Sequence, residues 1–319
     1  MTGALAGDYT LTPSKSDGVN GITAYDASFV LQHAAGLITL TGHQAIAAEV
    51  SNNGGITSMD ASYILQKAVD LIALPFPGAS VVWDFDPTSR SYTNLSSDQT
   101  GKDFTAVLLG DVSGNWSAGV GQALAQLAST ASLTLPNLYA EPGERITVTL
   151  DISLDQAEVY GADIAVSYDQ AVALADSVSA GDAAEGFMTA SNLDPPGQVR
   201  VAMAGAQPIT DDGHLLALVF DVVGELGDAS LLQITVAELN ESGVTVQRQN
   251  GSVSVVDLPD YDFNRDCNVD VVDIMRVASR WRCRRGDGCY DERFDIDHDD
   301  DIDIVDIMLV VVHWGETCW

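Results

Sequence analysis

Basic residues are scarce in this chain. Of its 319 residues only 14 are Lys or Arg, against 46 Asp or Glu, so the formal net charge at pH 7 is −32. A charge of this sign repels phosphate backbones and anionic lipids, which argues against nucleic-acid binding and favours cations as ligands. Long apolar runs are also missing, because none reaches the roughly 18 residues that a transmembrane helix needs.

Catalytic motifs are missing as well. The sequence has no zinc-protease motif, phosphate-binding loop or G-x-S-x-G elbow, and its histidines are scattered. We interpret all five histidines as structural or solvated residues: His33, His43, His214, His298 and His313. A catalytic pair of carboxylates stays open at this stage. The sequence as a whole predicts a protein that is not an enzyme.

Cysteine is absent from the first 266 residues, and the four that follow are Cys267, Cys283, Cys289 and Cys318. An even number in a small segment predicts two disulfides and an oxidising, extracellular setting. A Cys₄ zinc site is the alternative, but the C-x-x-C spacing is absent. The first residues, MTGALA, lack the basic start and apolar run of a signal peptide. We therefore expect a fragment of a longer secreted protein.

The cysteines fall within an internal duplication, in which DFNRDCNVDVVDIMRVASRW (residues 262–281) recurs as DIDHDDDIDIVDIMLVVVHW (residues 295–314). Each copy carries oxygen donors at positions 1, 3, 5, 7, 9 and 12 of a twelve-residue loop, with position 7 offering its backbone carbonyl. The first loop offers Asp262, Asn264, Asp266, Asn268, Asp270 and Asp273. The second offers Asp295, Asp297, Asp299, Asp301, Asp303 and Asp306. All-oxygen ligation at this spacing favours Ca²⁺.

A predicted helix follows each loop, but no amphipathic helix precedes it, so each unit is half of an EF-hand. This tandem pair, with Asp at position 12 and Val269 or Ile302 at position 8, resembles the dockerin module of cellulosome-type assemblies over residues 258–319. The resemblance implies a calcium-dependent fold and a protein partner chosen by positions 10 and 11, here Val271, Val272, Ile304 and Val305. Cys267 and Asp300 occupy position 6, where a left-handed backbone favours Gly, so we expect a distorted or weaker first loop.

A second duplication lies near the N-terminus, where ITAYDASFVLQHAAGLI (residues 22–38) returns as ITSMDASYILQKAVDLI (residues 56–72). Both runs have the apolar spacing of a packed helix, and residues 16–77 also resemble a dockerin of a less metal-dependent kind. The second loop offers weaker ligands: Glu49, Ser51, Asn53, Gly55, Thr57 and Asp60. The first places Lys15 at position 1 and Val19 at position 5, leaving Asp17, Thr23 and Asp26, so we expect it to be empty. A plain helical hairpin is the alternative.

Short β-type runs flank this helical pair. They are similar to strands of a carboxypeptidase-regulatory type domain, of which residues 1–15 and 78–111 would be a part. DVSGNWS (residues 111–117) has oxygens at alternate positions, but no apolar helix follows it closely. We interpret it as a turn, with a bound cation as the alternative. Residues 112–131 are rich in Gly, Ala, Ser and Gln and predict a linker.

Residues 132–257 have an all-β pattern, in which six strand-length runs separated by turn residues predict an antiparallel sandwich. The order of PGERITVTLDISL, GADIAVSYDQAVAL, GQVRVAMAGAQPITDDGHLLALVFDV and a closing GSVSVV resembles a cohesin, the module that receives dockerins. The resemblance implies that the face of residues 161–168 and 198–206 seats a helix. Either Ala202 and Ala204 or Val201 and Met203 face outwards. A generic Ig-like spacer is the alternative.

Antiparallel packing of the two C-terminal units selects one disulfide pairing. Such packing brings the start of the first loop beside the end of the second helix, so Cys267 is predicted to bond Cys318. Cys283 and Cys289 then close the glycine-containing connector between the units. The residues predicted to be buried between the helices are Ile274, Met275, Val277, Ile307, Met308 and Val311.

Together the resemblances imply a multidomain, mainly β protein with a cohesin-type sandwich (Ig-like or jelly-roll) and two small α-helical, dockerin-like modules with EF-hand-type calcium loops. Such a chain would be a non-catalytic, secreted adaptor scaffoldin that acts through Ca²⁺-dependent cohesin–dockerin pairing, in complexes that degrade polysaccharide. Its partners would bear dockerins or cohesins, and pairing of its own modules stays open. The alternatives are a calcium-stiffened surface adhesin and a carbohydrate-binding surface protein. The last is weaker because every tryptophan lies outside the sandwich, at Trp83, Trp116, Trp281, Trp314 and Trp319.

Overall fold

The computed structural model describes residues 6–116 and 129–318. Two short antiparallel ribbons lie near the N-terminus. In the first, β1 (Gly7–Leu11) pairs with β3 (Arg90–Leu95), and in the second β2 (Trp83–Asp86) pairs with β4 (Thr105–Leu108). These strands coincide with the predicted β-type runs, and they form two separate two-stranded sheets. Most of the predicted linker, residues 117–128, lies outside the described residues.

Three helices follow β1 along the chain: α1 (Ala24–Ala34), α2 (His43–Ala48) and α3 (Ser58–Ala68). The duplicated runs form α1 and α3, whereas the sequence pattern does not predict α2. Both duplicated helices begin with a capping box, in which a Thr and the Asp three residues later bond the backbone N–H groups of the first turn. Within residues 6–116 and 129–318, no helix is long and apolar enough to cross a membrane.

Two packed sheets form the middle of the chain. The first contains, in spatial order, β10 (Met188–Asn192), β11 (Gln198–Ile209), β8 (Val159–Ser167), β13 (Ala229–Leu239), β15 (Gly251–Val255) and β6 (Asn137–Ala140). The second contains β14 (Thr245–Gln249), β5 (Thr130–Thr134), β7 (Arg145–Asp155), β12 (Gly213–Val222) and β9 (Ala173–Ala180). The predicted mainly β sandwich is confirmed. Only the end pairs β14–β5 and β15–β6 are parallel among the described strands.

Strand β11 divides its side chains between two cores. Val201 and Met203 are buried inside the sandwich, whereas Ala202 and Ala204 are buried on the opposite side, in a cluster with residues of α1 and α3. The small residues therefore line the outer face of the six-stranded sheet. The chain's own N-terminal helices cover that face.

Residues 262–318 fold around α4 (Val271–Ala278) and α5 (Ile304–Val312). Val269 in the first loop donates its N–H to Glu316 and accepts the N–H of Gly315, both at 2.9 Å. Ile302 in the second loop makes the equivalent pair of bonds with the chain that follows α4, at 2.8 and 2.9 Å. Each loop thus lies beside the end of the other helix, which is the antiparallel arrangement that the sequence predicts.

The predicted core of this C-terminal module needs correction. Val277 and Val310 are fully buried, but three of the predicted core residues are exposed, namely Met275 (64%), Met308 (60%) and Val311 (47%). Side chains from the loops fill the space between the helices, so each helix buries only a narrow row of its own side chains. The loop and connector residues of this core are Val269, Cys283, Phe294 and Ile302.

Both predicted disulfides are present. Cys267 bonds Cys318 and Cys283 bonds Cys289, with Cα–Cα distances of 5.0 and 5.7 Å. The first bond spans 51 residues and the second only 6, inside the connector between the two units. The long ring therefore encloses nearly the whole C-terminal module.

Candidate functional site

The outer face of the six-stranded sheet carries helix α1. Gly161 on β8 lies directly under the start of the helix, and Ala202 and Ala204 on the neighbouring β11 are fully buried. A Cβ atom at Gly161 would lie 2.7 Å from backbone atoms of Tyr25. The helix can approach this closely because the residue is glycine. Helix α3 packs beside α1 and contacts β10 and β11, which completes the cover.

Polar contacts hold the helical pair on the sheet at the start of α1 and at the end of α3. The carboxylate of Asp163 accepts the N–H of the first residue of α1 at 2.9 Å, where the helix dipole favours negative charge. Where α3 ends, the Asn192 side chain donates to the carbonyl of Val69 at 2.9 Å, and Arg200 pairs with Asp70 at 2.7 Å. Burial raises the pKa of Asp163 to about 7, against the lowering effect of its hydrogen bond. The interface therefore combines small residues beneath the helices with a polar contact at the start of α1 and others at the end of α3.

Three more carboxyl groups meet beside the start of α1. Glu241, from the loop after β13, accepts the hydroxyl groups of Thr23 at 2.7 Å and Ser113 at 3.0 Å. Asp26 accepts the Ser113 N–H at 2.8 Å. Burial and the neighbouring Glu241 raise the pKa of Asp26 well above its ordinary value, and burial also raises the pKa values of Asp111 and Glu241. Negative charge is thus concentrated where three separate segments of the chain meet.

The first C-terminal loop is organised by its first and last ligands. Asp262, at position 1, accepts the N–H groups of positions 4, 5 and 6 at 2.7, 3.2 and 2.8 Å. The buried Asp273, at position 12, accepts those of positions 3 and 9 at 3.1 and 2.8 Å. The predicted ligands at positions 3, 5 and 7 bond one another, and Asp270 caps α4. Cys267 adopts a left-handed φ of 68° at position 6 without being glycine.

The second C-terminal loop carries more carboxylates. Asp295, Asp297 and Asp299 have carboxylate oxygens that all lie within 4.8 Å of one another. Asp306 accepts the N–H groups of positions 2 and 9 at 2.6 and 2.7 Å, and position 9 itself, Asp303, caps α5. The side-chain Oδ1 of Asp301 is buried without a hydrogen-bond partner. Burial, followed by repulsion from Asp299, raises the pKa values of both Asp297 and Asp301.

Both C-terminal loops fit a calcium ion. The donors at the predicted positions are all oxygens, and the carboxylates of each loop face like charges that a divalent cation would neutralise. The four cysteines are tied up in disulfides, so they offer no thiolate to a softer metal. Backbone N–H groups hold the first and last Asp of each loop in place, so two of the predicted ligands in each loop have fixed positions.

The loop before α3 has the same pattern with less charge. Glu49 accepts the N–H groups of positions 5 and 6 at 2.7 and 3.3 Å. Asp60 accepts those of Ser51 and Thr57 at 2.9 and 2.8 Å, and Asn53 bonds the N–H of Gly55 at 3.0 Å. The Oγ of the position-3 serine is buried without a partner. With a single carboxylate at each end, this loop offers a divalent cation less charge than either C-terminal loop does.

The loop before α1 does not close in the same way. Lys15, at position 1, lies with its ammonium 4.8 and 4.7 Å from the ring centroids of Trp83 and Trp116 and pairs with Asp17 at 2.8 Å. A cation at position 1 cannot ligate a metal, so residues 15–26 do not form a continuous calcium loop. Asp26 instead accepts the N–H of Ser113, in the segment 111–116 that the sequence pattern indicates as a turn and the start of a linker.

Positions 10 and 11 are covered at the start of α1 but exposed at the starts of α3, α4 and α5. Ala24 is the first residue of α1 and corresponds to position 10 of the loop numbering; it is fully buried against β8. Tyr25, at position 11, is partly buried. The equivalent residues of the C-terminal module are exposed: Val271 (50%), Val272 (41%), Ile304 (50%) and Val305 (42%). Together with Met275 and Met308 they give α4 and α5 exposed apolar faces, which are unusual on a chain so rich in charge.

Residues 131–255 match the family model of the cohesin domain. The middle of the chain is thus a cohesin-type sandwich, and the cohesin domain is a protein-interaction module. The match extends over the sandwich alone and does not include the helical pairs on either side.

Several solved structures are similar to the same part of the chain. A non-cellulosomal cohesin from the hyperthermophilic archaeon Archaeoglobus fulgidus is 22% identical, with 40% of this chain and 92% of that chain covered and a TM-score of 0.36. CaCohA2 from Clostridium acetobutylicum is 19% identical, with 40% and 92% covered and a TM-score of 0.35. The Coh-OlpC–Doc435 cohesin–dockerin complex from Clostridium thermocellum is 13% identical, with 41% and 96% covered and a TM-score of 0.36. No curated protein sequence matches the chain.

Proposed function

We propose that this chain is a non-catalytic, secreted assembly protein. Its C-terminal dockerin-like module binds a cohesin on another protein, while the face of its own cohesin-type sandwich is occupied by its own N-terminal helical pair. The observation that carries the proposal is the contrast at positions 10 and 11, which are covered at α1 and exposed at α4 and α5.

The proposal divides the chain into four folded parts and a linker. Residues 1–15 and 78–111 form a partial β domain, and residues 16–77 are its dockerin-like insert. Residues 112–131 include the linker, residues 132–257 are the cohesin-type sandwich, and residues 258–319 are the C-terminal dockerin-like module. Two disulfides in the last part favour an extracellular location, and complexes that degrade polysaccharide are the setting that the cellulosome-type resemblance suggests.

The packing of α1 and α3 on the outer face of the six-stranded sheet supports a proposal about which kind of partner the chain binds. Gly161, Ala202 and Ala204 form a flat, small-residue surface that admits α1 at short distance, and Asp163 accepts the first N–H of that helix. A partner on the same chain is present at an effective concentration that a free protein rarely matches. A dockerin from another protein would have to displace α1 and α3, so we infer that the chain's outward contact is made by its C-terminal module.

The C-terminal module supplies the matching surface. The geometry of α1 on β8 indicates how a loop-and-helix unit with Asp at position 12 presents positions 10 and 11 to such a sheet. Val271 and Val272, or Ile304 and Val305, would occupy that place on a partner cohesin, and their apolar character calls for an apolar partner face. Calcium, when bound, neutralises the loop carboxylates and fixes the helix starts. It would be held by the twelve ligands that the two loops offer.

The test uses the full chain as bait in calcium-containing buffer, with extracellular proteins of the source organism as prey and mass spectrometry to identify what is captured. Proteins that carry a cohesin domain should dominate, and EDTA should abolish their capture. A full chain carrying Val271→Asp and Ile304→Asp should lose them too, because each substitution introduces a charge at the centre of the contact. Direct binding of each captured cohesin, purified, is then measured by surface plasmon resonance.

The matched control carries Ser58→Asp and Met59→Asp, which change the exposed positions 10 and 11 of α3. This variant should capture the same cohesins as the unaltered chain. The proposal is wrong if no captured protein carries a cohesin domain, or if the C-terminal charges leave capture unchanged. A calcium-stiffened adhesin would give the first of these results.

A further inference from the structure

The segment 111–116 has the structure of the first half of a calcium loop. Asp111 accepts the N–H groups of residues 114, 115 and 116 at 2.9, 3.0 and 3.1 Å. These are the positions that Asp262 holds in the first C-terminal loop, at 2.7 to 3.2 Å. Gly114, at position 4, has a φ of 75°, as position 4 does in that loop, where Arg265 has 62°. No apolar helical run follows this half closely in the sequence, so the sequence pattern alone does not identify it as a loop half.

The second half of the loop comes from the start of α1, about 90 residues earlier in the chain. Asp26 accepts the N–H of Ser113 at 2.8 Å and that of Thr23 at 2.8 Å. Asp60 makes the same two bonds in the continuous loop before α3, with Ser51 at 2.9 Å and Thr57 at 2.8 Å. Ser113 therefore stands at position 3, Thr23 at position 9 and Asp26 at position 12 of one spatial loop.

A buried acceptor points to a ligand at this place. The Oδ1 atom of Asn115, at position 5, is buried and accepts no hydrogen bond. It lies against Gly21, at position 7, since a Cβ atom on that glycine would be 2.4 Å away. Burying a carbonyl oxygen without a partner costs free energy, whereas in an EF-hand loop the groups at positions 5 and 7 ligate the same ion.

The charges point to a cation. Asp26 is completely buried, Asp111 is nearly so, and Glu241 from the sandwich joins them through shared hydroxyl groups. Among residues 6–116 and 129–318, no Lys, Arg or His forms an ion pair with any of these three carboxylates. Buried carboxylates without a countercharge are costly, and a divalent cation would supply one.

We propose that Asp111, Ser113, Asn115, Thr23 and Asp26 form a discontinuous Ca²⁺ site, which Glu241 of the cohesin-type sandwich completes. The spatial loop passes from one segment to the other between Trp116 and Gly21, whose backbones lie in contact. The proposal thus adopts the bound cation that the sequence analysis gives as the alternative to a turn, and Lys15 and Asp17 have no part in the site.

Glu241 makes this site different from the other loops, because it ties the ion to the sandwich. The residue belongs to a run of three left-handed residues, Asn240, Glu241 and Ser242, with φ of 48°, 56° and 65°. Such a backbone is unfavourable for residues with a side chain, and the Asn240 side chain holds it by accepting the N–H of Tyr160 at 2.8 Å. Metal binding would therefore lock the helical pair onto the sheet. This consequence does not depend on any external cohesin.

The experiment counts calcium bound to the full chain by equilibrium dialysis and measures the calcium-dependent rise of the melting temperature. Asp26→Asn and Glu241→Gln should each remove one metal equivalent or weaken that site at least about tenfold. Asn115→Ala should do the same, because it removes the buried Oδ1 atom that has no other hydrogen-bond partner. Glu241→Gln should raise the melting temperature in EDTA, since it removes like-charge repulsion.

The matched control is Asp17→Asn. Asp17 is exposed, and it would be a ligand only if residues 15–26 formed a continuous calcium loop. It should leave both the metal count and the melting temperatures unchanged. The proposal is overturned if Asn115→Ala and Glu241→Gln bind as much calcium as the unaltered chain with the same affinity. It is also overturned if Asp17→Asn is the variant that loses a metal equivalent.

Discussion

The two helical pairs of this chain start from the same sequence pattern and are stabilised in different ways. The N-terminal pair buries its helices in an apolar cluster that it shares with β4 and with β10 and β11 of the sandwich. Among its described residues, the C-terminal pair has a core cluster of six buried residues, together with two disulfides and two loops crowded with carboxylates. A small module with little core needs covalent bonds and metal ions, whereas one that rests on a large neighbour can use packing.

The comparison predicts first that removal of calcium affects the two pairs unequally. In EDTA, the carboxylates of residues 262–273 and 295–306 repel one another without an ion, so α4 and α5 should lose their ordered structure. Helices α1 and α3 should retain most of their protection because they keep their apolar contacts. Hydrogen exchange followed by mass spectrometry, with and without EDTA, measures both. Protection of α4 and α5 that is the same in both buffers would contradict the prediction.

The second prediction separates the helical pair from the sandwich. Ala202→Glu buries a carboxylate between α1 and the sheet and should release the helices at a cost of several kcal/mol, while the sandwich stays folded. The matched variant Val201→Glu places the same charge inside the sandwich and should unfold that domain instead. Limited proteolysis distinguishes the two, because cleavage should fall in residues 16–77 for the first variant and throughout the sandwich for the second.

The third prediction concerns the disulfides of the C-terminal pair. Replacing Cys267 and Cys318 by Ser should lower the free energy of unfolding of this module by about 4 kcal/mol, and replacing Cys283 and Cys289 by about 2 kcal/mol, because a longer ring restricts the unfolded chain more. Denaturation in the presence of calcium, followed by the fluorescence of Trp281 and Trp314, gives both values. An equal loss in the two variants would show that ring length does not control the effect.

The smallest effect is expected at the polar end of the N-terminal interface. Arg200→Ala removes the ion pair with Asp70, whose side chain is about half exposed, so docking of the helices should weaken by less than about 1 kcal/mol. Asn192→Ala removes the bond to the carbonyl at the end of α3 and should cost about 1 kcal/mol. Hydrogen exchange in α3 reports both. A larger loss for Arg200→Ala than for Asn192→Ala would reverse the expected order.

The features that the sequence predicts well are those encoded over short distances. The loop spacing, the starts of α1, α3, α4 and α5 and the disulfide pairing follow from residues that are close in sequence or from the antiparallel packing of one repeat on the other. The cohesin-type sandwich follows from alternating strands whose order resembles a known family.

Features that depend on contacts between distant segments are not predicted. Met275 and Met308 have the apolar character of core residues, but their place in the helical turn leaves them exposed once loop residues fill the core. Ala202 and Val201 are both acceptable on either side of a strand, so only the assembled sheet decides which faces α1. The bond between Asp26 and Ser113 joins residues 87 positions apart, which no local spacing encodes.

The long disulfide ring also determines how the molecule responds to pulling. Suppose that α4 and α5 bind a partner and the rest of the chain is pulled away. The force then acts on the module from about residue 258 and is transmitted to Cys267 within a few residues. Because Cys267 is bonded to Cys318 at a sequence separation of 51, the chain between them cannot be drawn out, and roughly 180 Å of extended chain does not bear the force. Under force, the module would therefore stay folded and dissociate from its partner, with little lengthening before the contact breaks.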